Sequence, residues 1–203
     1  MDRVITYIDG FNLYFGLKSS NWQRYYWLNL QLLSKNLIKP NQKLIYTKYF
    51  TSRVANPLDK RIRQNTYLEA LGTLPDFSIT YGKYQHNPHT CPKCNYVEII
   101  PSEKMTDVNI AVELLGDAYE DKFDTALLIS ADSDLTTPIE KVRQLFSKKR
   151  VISIFPPNRA SKELEKVATA CFHLGRGVIS SSLFPPEITK PDGFVLKCPA
   201  KWK

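Results

Sequence analysis

The period with which apolar and polar residues alternate changes repeatedly along the chain, and each change marks an element. "RVITYI" (3–8) is a β-branched, mostly apolar run that stops at "DG", a turn signal, and so predicts a strand. "FNLYFGLKSS" then reads as a short aromatic helix and "NLQLLSKNL" (29–37) as a second. "KLIYTKYFT" (43–51) is strand-like by its branched and aromatic content. "NPLDKRIRQNTYLEALGTL" opens on Asn-Pro, a good helix start, and stops at Gly72. "FSITYGKYQ" (77–85) alternates like a strand, and "YVEII" (96–100) is placed to pair with it across a short loop.

The second half is more regular. "TDVNIAVELLGDAYED" (106–121) predicts a helix with Val108, Ala111, Val112, Leu115 and Tyr119 on one face, and Ile110 and Leu114 beside them. "DTALLIS" (124–130) and "RVISIFP" (150–156) have the unbroken apolar character of parallel strands buried on both faces. "LTTPIEKVRQLFSKK" between them supplies a crossover helix, "SKELEKVAT" a further helix and "CFHL" a last short strand. Strands alternating with helices predict an α/β sandwich around a mainly parallel sheet, filling 1–184 as one domain. The Pro-rich remainder, 185–203, reads as an extended tail.

Composition narrows the partners. A length of 203 residues suffices for one well-buried core, and 43% hydrophobic with 24% charged residues is ordinary for a globular protein. The net charge of +8 favours polyanions, of which nucleic acid is the commonest. No apolar run approaches the roughly 20 residues of a membrane span. The start of the chain shows neither a basic n-region nor an h-region, so no signal peptide is expected. Four unevenly placed cysteines are too few for a disulfide framework, and the expected location is cytoplasmic. Neither G-x-G-x-x-G nor a P-loop occurs, which argues against nucleotide-cofactor folds.

The carboxylates change the picture most. In a parallel sheet, functional groups collect at the carboxyl ends of the strands. Asp9 ends the first strand, Asp132 and Asp134 follow "ALLIS", and Asp107 lies in the opening turn of the 106–121 helix, where the dipole favours a carboxylate. Singly, each has a plain explanation as a turn, a helix cap or a solvated loop. Together they would crowd one edge. Carboxylates ~4 Å apart repel by about 4 kcal/mol per pair at an effective dielectric near 20. Such a cluster calls for a cation, and hard oxygen ligands without histidine select Mg²⁺ or Mn²⁺ over zinc.

"YIDGFNLYFGLK" and "EKMTDVNIAVELLGDAYEDKFDTALLISADSDLTTPIEKVR", in that order, resemble the NYN domain family of PIN-like metal-dependent nucleases. The resemblance covers most of 1–184 and rests on the D-G-F-N, T-D-V-N and S-x-D-S-D blocks. It implies a Rossmann-like, PIN-like sandwich with an acidic divalent-metal site and ribonuclease activity. By motif position, Asp9, Asp107 and Asp132 match the family's metal-binding aspartates, with Asp134 an outer or fourth ligand. Asn12 matches the Asn that positions substrate or metal-bound water. Where the family loop reads S-G-D-S-D-F, this chain has Ala131 and Leu135.

A second constellation is "HNPHTCPKCNY" (86–96), with His86, His89, Cys91 and Cys94 within nine residues. C-P-x-C followed by Asn95, a residue able to turn left-handed, is one knuckle of a zinc ribbon. The alternative is a hairpin tip with unligated thiols.

The favoured expectation is a divalent-metal-dependent nuclease that hydrolyses phosphodiester bonds of single-stranded or structured RNA, with structural zinc in the 86–94 insertion as an open question. Lys104, Arg61, Arg63 and "SKKR" (147–150) are the basic residues offered to phosphate. Tyr7, Phe11, Tyr14 and Phe15 flank Asp9 and could stack bases or fill the core. The rivals are a non-catalytic nucleic-acid-binding regulator and a different Mg²⁺-dependent phosphoesterase. A homo-oligomer is compatible with either reading.

Overall fold

The computed structural model describes residues 1–90 and 92–202, with side chains other than those of 84–87, 89 and 98–103. Strand β1 (Asp2–Asp9) sits at the centre of the main sheet because its residues from Val4 onward are buried on both faces. On one side it pairs in parallel with β2 (Gln42–Thr51), which pairs with β3 (Phe77–Tyr81). On the other side lies β6 (Thr125–Ile129), followed by β7 (Arg150–Phe155) and β8 (Ala170–His173), all parallel. The spatial order β3-β2-β1-β6-β7-β8 reverses direction between β1 and β6. That junction is the topological switch point at which doubly wound sheets open a crevice. The expected α/β sandwich is the fold observed.

Two helical layers cover the sheet. Helices α1 (Gly10–Ser19), α2 (Leu30–Leu37) and α3 (Leu58–Leu71) lie on one face, where Leu13, Leu17, Leu30, Leu33 and Leu71 meet Val4, Ile8 and Ile129. Helices α4 (Thr106–Tyr119), α5 (Thr136–Leu145) and α6 (Lys162–Val167) lie on the other, against Ile5, Tyr7, Ala126 and Leu128. The alternation along β1 sends odd positions to the α4 face, and Asp9 continues the series of Ile5 and Tyr7.

Two glycines allow α1 to sit this close. A Cβ at Gly10 would meet Phe50 O at 2.7 Å, and one at Gly16 would meet Pro157 O at 2.8 Å. The D-G pair is therefore a helix start pressed against β2, and its glycine answers a close approach, not a turn.

Helix α4 turns differently from the expected face. Ile110, Leu114 and Ala118 are buried, whereas Val108, Val112 and Tyr119 are exposed. The polar Asp117 also points inward, only 2% exposed, because the layer supplies partners: Tyr7 Oη donates to it at 2.6 Å and Lys48 Nζ lies 2.5 Å away. The buried stripe therefore runs through Ile110, Leu114, Asp117 and Ala118, rotated from the predicted face.

"FSITYGKYQ" divides at Gly82, with β3 joining the sheet and β4 (Lys83–Thr90) forming an antiparallel hairpin with β5 (Val97–Lys104). The residues past 184 are not an extended tail. They form the pair β9 (Glu187–Thr189) and β10 (Val195–Lys197), and a 3₁₀ turn at Ala200–Trp202. Leu196 and Cys198 are buried in the α1–α3 core, and Trp202 packs on it. The prolines suggest an open chain, but the few apolar residues between them are the ones that dock. Among the described residues, no helix is long and apolar enough to cross a membrane. A short helix, α7 (Arg176–Ser180), precedes this segment.

Candidate metal centre at the switch point

Three carboxylates from three segments meet at the carboxyl edge of the sheet. Asp9, Asp107 and Asp132 each present an oxygen, and these oxygens all lie within 4.8 Å of one another. Asp9 ends β1 and caps α1, its Oδ1 accepting from the backbone N–H of Asn12 at 2.9 Å. Its Oδ2 accepts from Ser130 Oγ at 2.9 Å. Ser130 Oγ in turn accepts from the backbone N–H of Asp132 at 3.1 Å, so one hydroxyl sets the spacing of β1 and the β6 loop. Asp132 folds its carboxylate back on the loop, where Oδ1 accepts from the Asp134 N–H at 3.0 Å. Asp107 stands in the first turn of α4, whose N-terminal end favours negative charge. The preceding residue, Met105, takes φ 80 without being a glycine, a strained turn of the kind found beside functional sites.

Asp9 is only 3% exposed, and burial pushes its carboxyl pKa up. The Asn12 and Ser130 hydrogen bonds oppose the shift, and the Asp132 charge adds to it. The Asn12 N–H and the Ser130 hydroxyl that donate to Asp9 are neutral and do not balance its charge. An all-carboxylate, partly buried oxygen set of this spacing fits a hard divalent cation.

The other expected residues fall into groups. Asp134 is exposed beside the cluster, in the 3₁₀ turn before α5. Asn12 is buried, and its Oδ1 accepts from the Ala131 N–H at 3.1 Å, so here it positions the Asp132 loop. Ala131 does not take a positive φ, and its replacement of glycine leaves the loop unstrained. Lys104 is exposed at the end of β5, and Arg61 is exposed on α3. Arg63 is paired with Asp59 at 2.8 Å. The "SKKR" run lies elsewhere: Lys149 Nζ bonds Asp121 and Phe123 O, and Arg150 pairs with Asp2, at the opposite edge of the sheet.

Tyr7 is core, while Tyr14 and Phe15 are exposed. For zinc, Cys94 is exposed at the hairpin tip, and Asn95 turns left-handed at φ 57 as expected. Cys91 and the side chains of His86 and His89 lie outside the described residues. Ser130 had no assigned role in the sequence, although the S-x-D-S-D block contains it.

The family model of the NYN domain matches residues 3–175, and the chain belongs to that family. Among curated proteins, it is similar to 6-hydroxy-3-succinoylpyridine 3-monooxygenase HspA of Pseudomonas putida, 27% identical over 175 residues. That match covers 70% of this chain and 55% of HspA, so the chain spans about half the length of this relative. Among solved structures, a Vibrio parahaemolyticus protein of unknown function, VPA0982, shares the fold with a TM-score of 0.56. It is 16% identical, and the match covers 86% of this chain and 94% of that one.

Proposed function

We propose that the chain is a divalent-metal-dependent nuclease that hydrolyses phosphodiester bonds in RNA. The observation that carries this reading is the meeting of Asp9, Asp107 and Asp132 within 4.8 Å at the switch point of an NYN domain. These three residues would hold Mg²⁺ or Mn²⁺, with Asp134 beside them. When bound, such an ion lowers the pKa of a coordinated water and offsets charge building on the phosphate. The chain's own part is to fix that geometry. Ser130 spaces Asp9 from Asp132, and Asn12 ties the loop to α1. Lys104, Arg61 and Arg63 are offered to phosphates of the strand, in keeping with the net charge of +8.

Incubation of end-labelled single-stranded RNA with Mn²⁺ tests the reading. Cleavage abolished by chelation, and reduced about a thousand-fold in Asp132→Asn, is expected, since a lost ligand removes several kcal/mol of charge stabilisation. Binding without cleavage would select the regulator. Release of phosphate from small phosphoesters, with RNA intact, would select the other phosphoesterase.

The HspA name supplies a further reading, oxidation of a small aromatic compound, and an aromatic-lined cavity of about 500 Å³ beside Gly10 favours it. Reductant-dependent oxygen consumption with an aromatic compound, RNA again intact, would select that reading.

A further inference from the structure

We propose that the cavity between α1, α3 and the C-terminal turn receives one nucleotide of the bound strand, a proposal that rests on the nuclease reading. The cavity has a volume of about 500 Å³. That falls within the ~300–1,000 Å³ usual for small-molecule sites. Gly10 and Thr51 line it. It therefore reaches the carboxyl ends of β1 and β2, the edge that also carries Asp9.

Its walls suit a flat ring that carries an anion. Tyr14 and Tyr26 lie 5.1 Å apart by ring centroid, Tyr26 and Trp202 5.7 Å, and Tyr67 and Trp202 6.1 Å, and all four rings line the space. Such a series offers stacking faces to a base of any identity. Around the rings stand Lys18, Lys60, Arg63 and Lys201, and no carboxylate is among the lining residues. Asp59, which pairs with Arg63, balances one of these charges. The surplus is positive, as a nucleotide phosphate requires. Gln64 holds the wall itself, donating to Ser52 O at 2.9 Å and accepting from the Val54 N–H at 2.7 Å.

The docked C-terminal segment completes the site. Lys201 and Trp202 come from the last turn, which reaches the cavity because β10 packs on α3 and Trp202 packs against Tyr26, Trp27 and Tyr67. The segment therefore adds one cation and one stacking face to a pocket that α1 and α3 alone leave open.

The test uses the full chain carrying Asp132→Asn, so that binding is read without cleavage. A labelled single-stranded RNA decamer is followed by fluorescence anisotropy with AMP or ribose 5-phosphate as competitor. AMP should compete at least about ten-fold better than ribose 5-phosphate, the contribution of a stacked base. Lys60→Gln with Lys201→Gln should weaken AMP about ten-fold and lower the salt slope of decamer binding by about 1.4. Trp202→Ala should weaken AMP similarly and Trp202→Phe should restore it. If Trp202→Ala fails to fold, the double lysine variant decides.

Equal competition by the two compounds would overturn the proposal, as would AMP affinity untouched by the lysine changes. AMP that binds by calorimetry without displacing the decamer would mark a free-nucleotide site and overturn the assignment to the strand. Wild-type protein that leaves RNA uncleaved in Mn²⁺ would remove the hydrolysis reading alone, because the competition experiment does not depend on turnover.

Discussion

Helix α4 carries a carboxylate at each end, and the two live in opposite surroundings. Asp117, near its C-terminus, is buried among Lys48 at 2.5 Å, Lys122 at 3.3 Å and the Tyr7 hydroxyl at 2.6 Å. Asp107, in the first turn, is grouped instead with Asp9 and Asp132. At the first site the protein supplies the compensating cations and ties α4 to β1 and β2. At the second it gathers like charges, one of them almost wholly buried. Buried charge is tolerated when paired, so the cluster that gathers like charges is the one suited to an external cation.

The largest expected effect on stability lies in the compensated region. Lys48→Met leaves Asp117 and Glu113 short of their shared cation and should cost about 3 kcal/mol in urea unfolding. Lys122 still reaches Asp117. A loss below ~1 kcal/mol would mean that the network is no more than a surface pair.

Next is Asp134→Asn, which should reduce RNA cleavage by about ten-fold or less, ~1.4 kcal/mol, with extra Mn²⁺ restoring part of it. Asp134 is exposed beside the cluster, and it is Asp132 whose oxygen meets Asp9 and Asp107. Equal losses from Asn at 132 and 134, without metal rescue, would contradict that ranking.

Asp9→Asn should act in the opposite sense on stability. Burial raises the folded-state pKa of Asp9, so ionising it penalises the metal-free fold. The penalty is absent below the unfolded carboxylate range, grows as pH rises through the raised folded value, and is complete above it. Removing the charge should therefore raise the melting temperature of metal-free protein at neutral pH, and not at pH 4. A lower melting temperature at both pH values would show that Asp9 matters mainly as a cap.

The smallest effect belongs to Arg3, whose hydrogen bonds hold the Asp124 carboxyl down at about 2. Because this pKa is depressed, the pair's contribution is present above the usual carboxylate range and fades as pH falls through about 2. Arg3→Gln should flatten that acid limb of a melting-temperature profile.

Much of this was legible in the chain. The unbroken apolar runs 124–130 and 150–156 announce buried parallel strands, and Asp9 and Asp132 stand at strand ends that a parallel sheet gathers on one edge. That α4 brings Asp107 to the same edge is not dictated by the chain, because β5 before it belongs to the separate hairpin. What stayed hidden depends on partners distant in sequence. Nothing in the apolar pattern marks Asp117 as buried, because its partner Lys48 comes from β2. Ser130 reads only as the end of the strand 124–130 until its hydroxyl links Asp9 to Asp132. The prolines after 184 conceal Leu196, Cys198 and Trp202, whose docking periodicity cannot announce.

Whether the switch-point carboxylates require a divalent cation is read out by counting bound Mn²⁺ by electron paramagnetic resonance at neutral pH. Wild-type protein should remove one or two equivalents of free Mn²⁺ from solution, as one- or two-ion carboxylate sites do, and Asp132→Asn should bind at least about ten-fold more weakly with its fold intact. Mn²⁺ binding that is absent in the wild type, or equal in the wild type and Asp132→Asn, would show that these carboxylates are not a metal site.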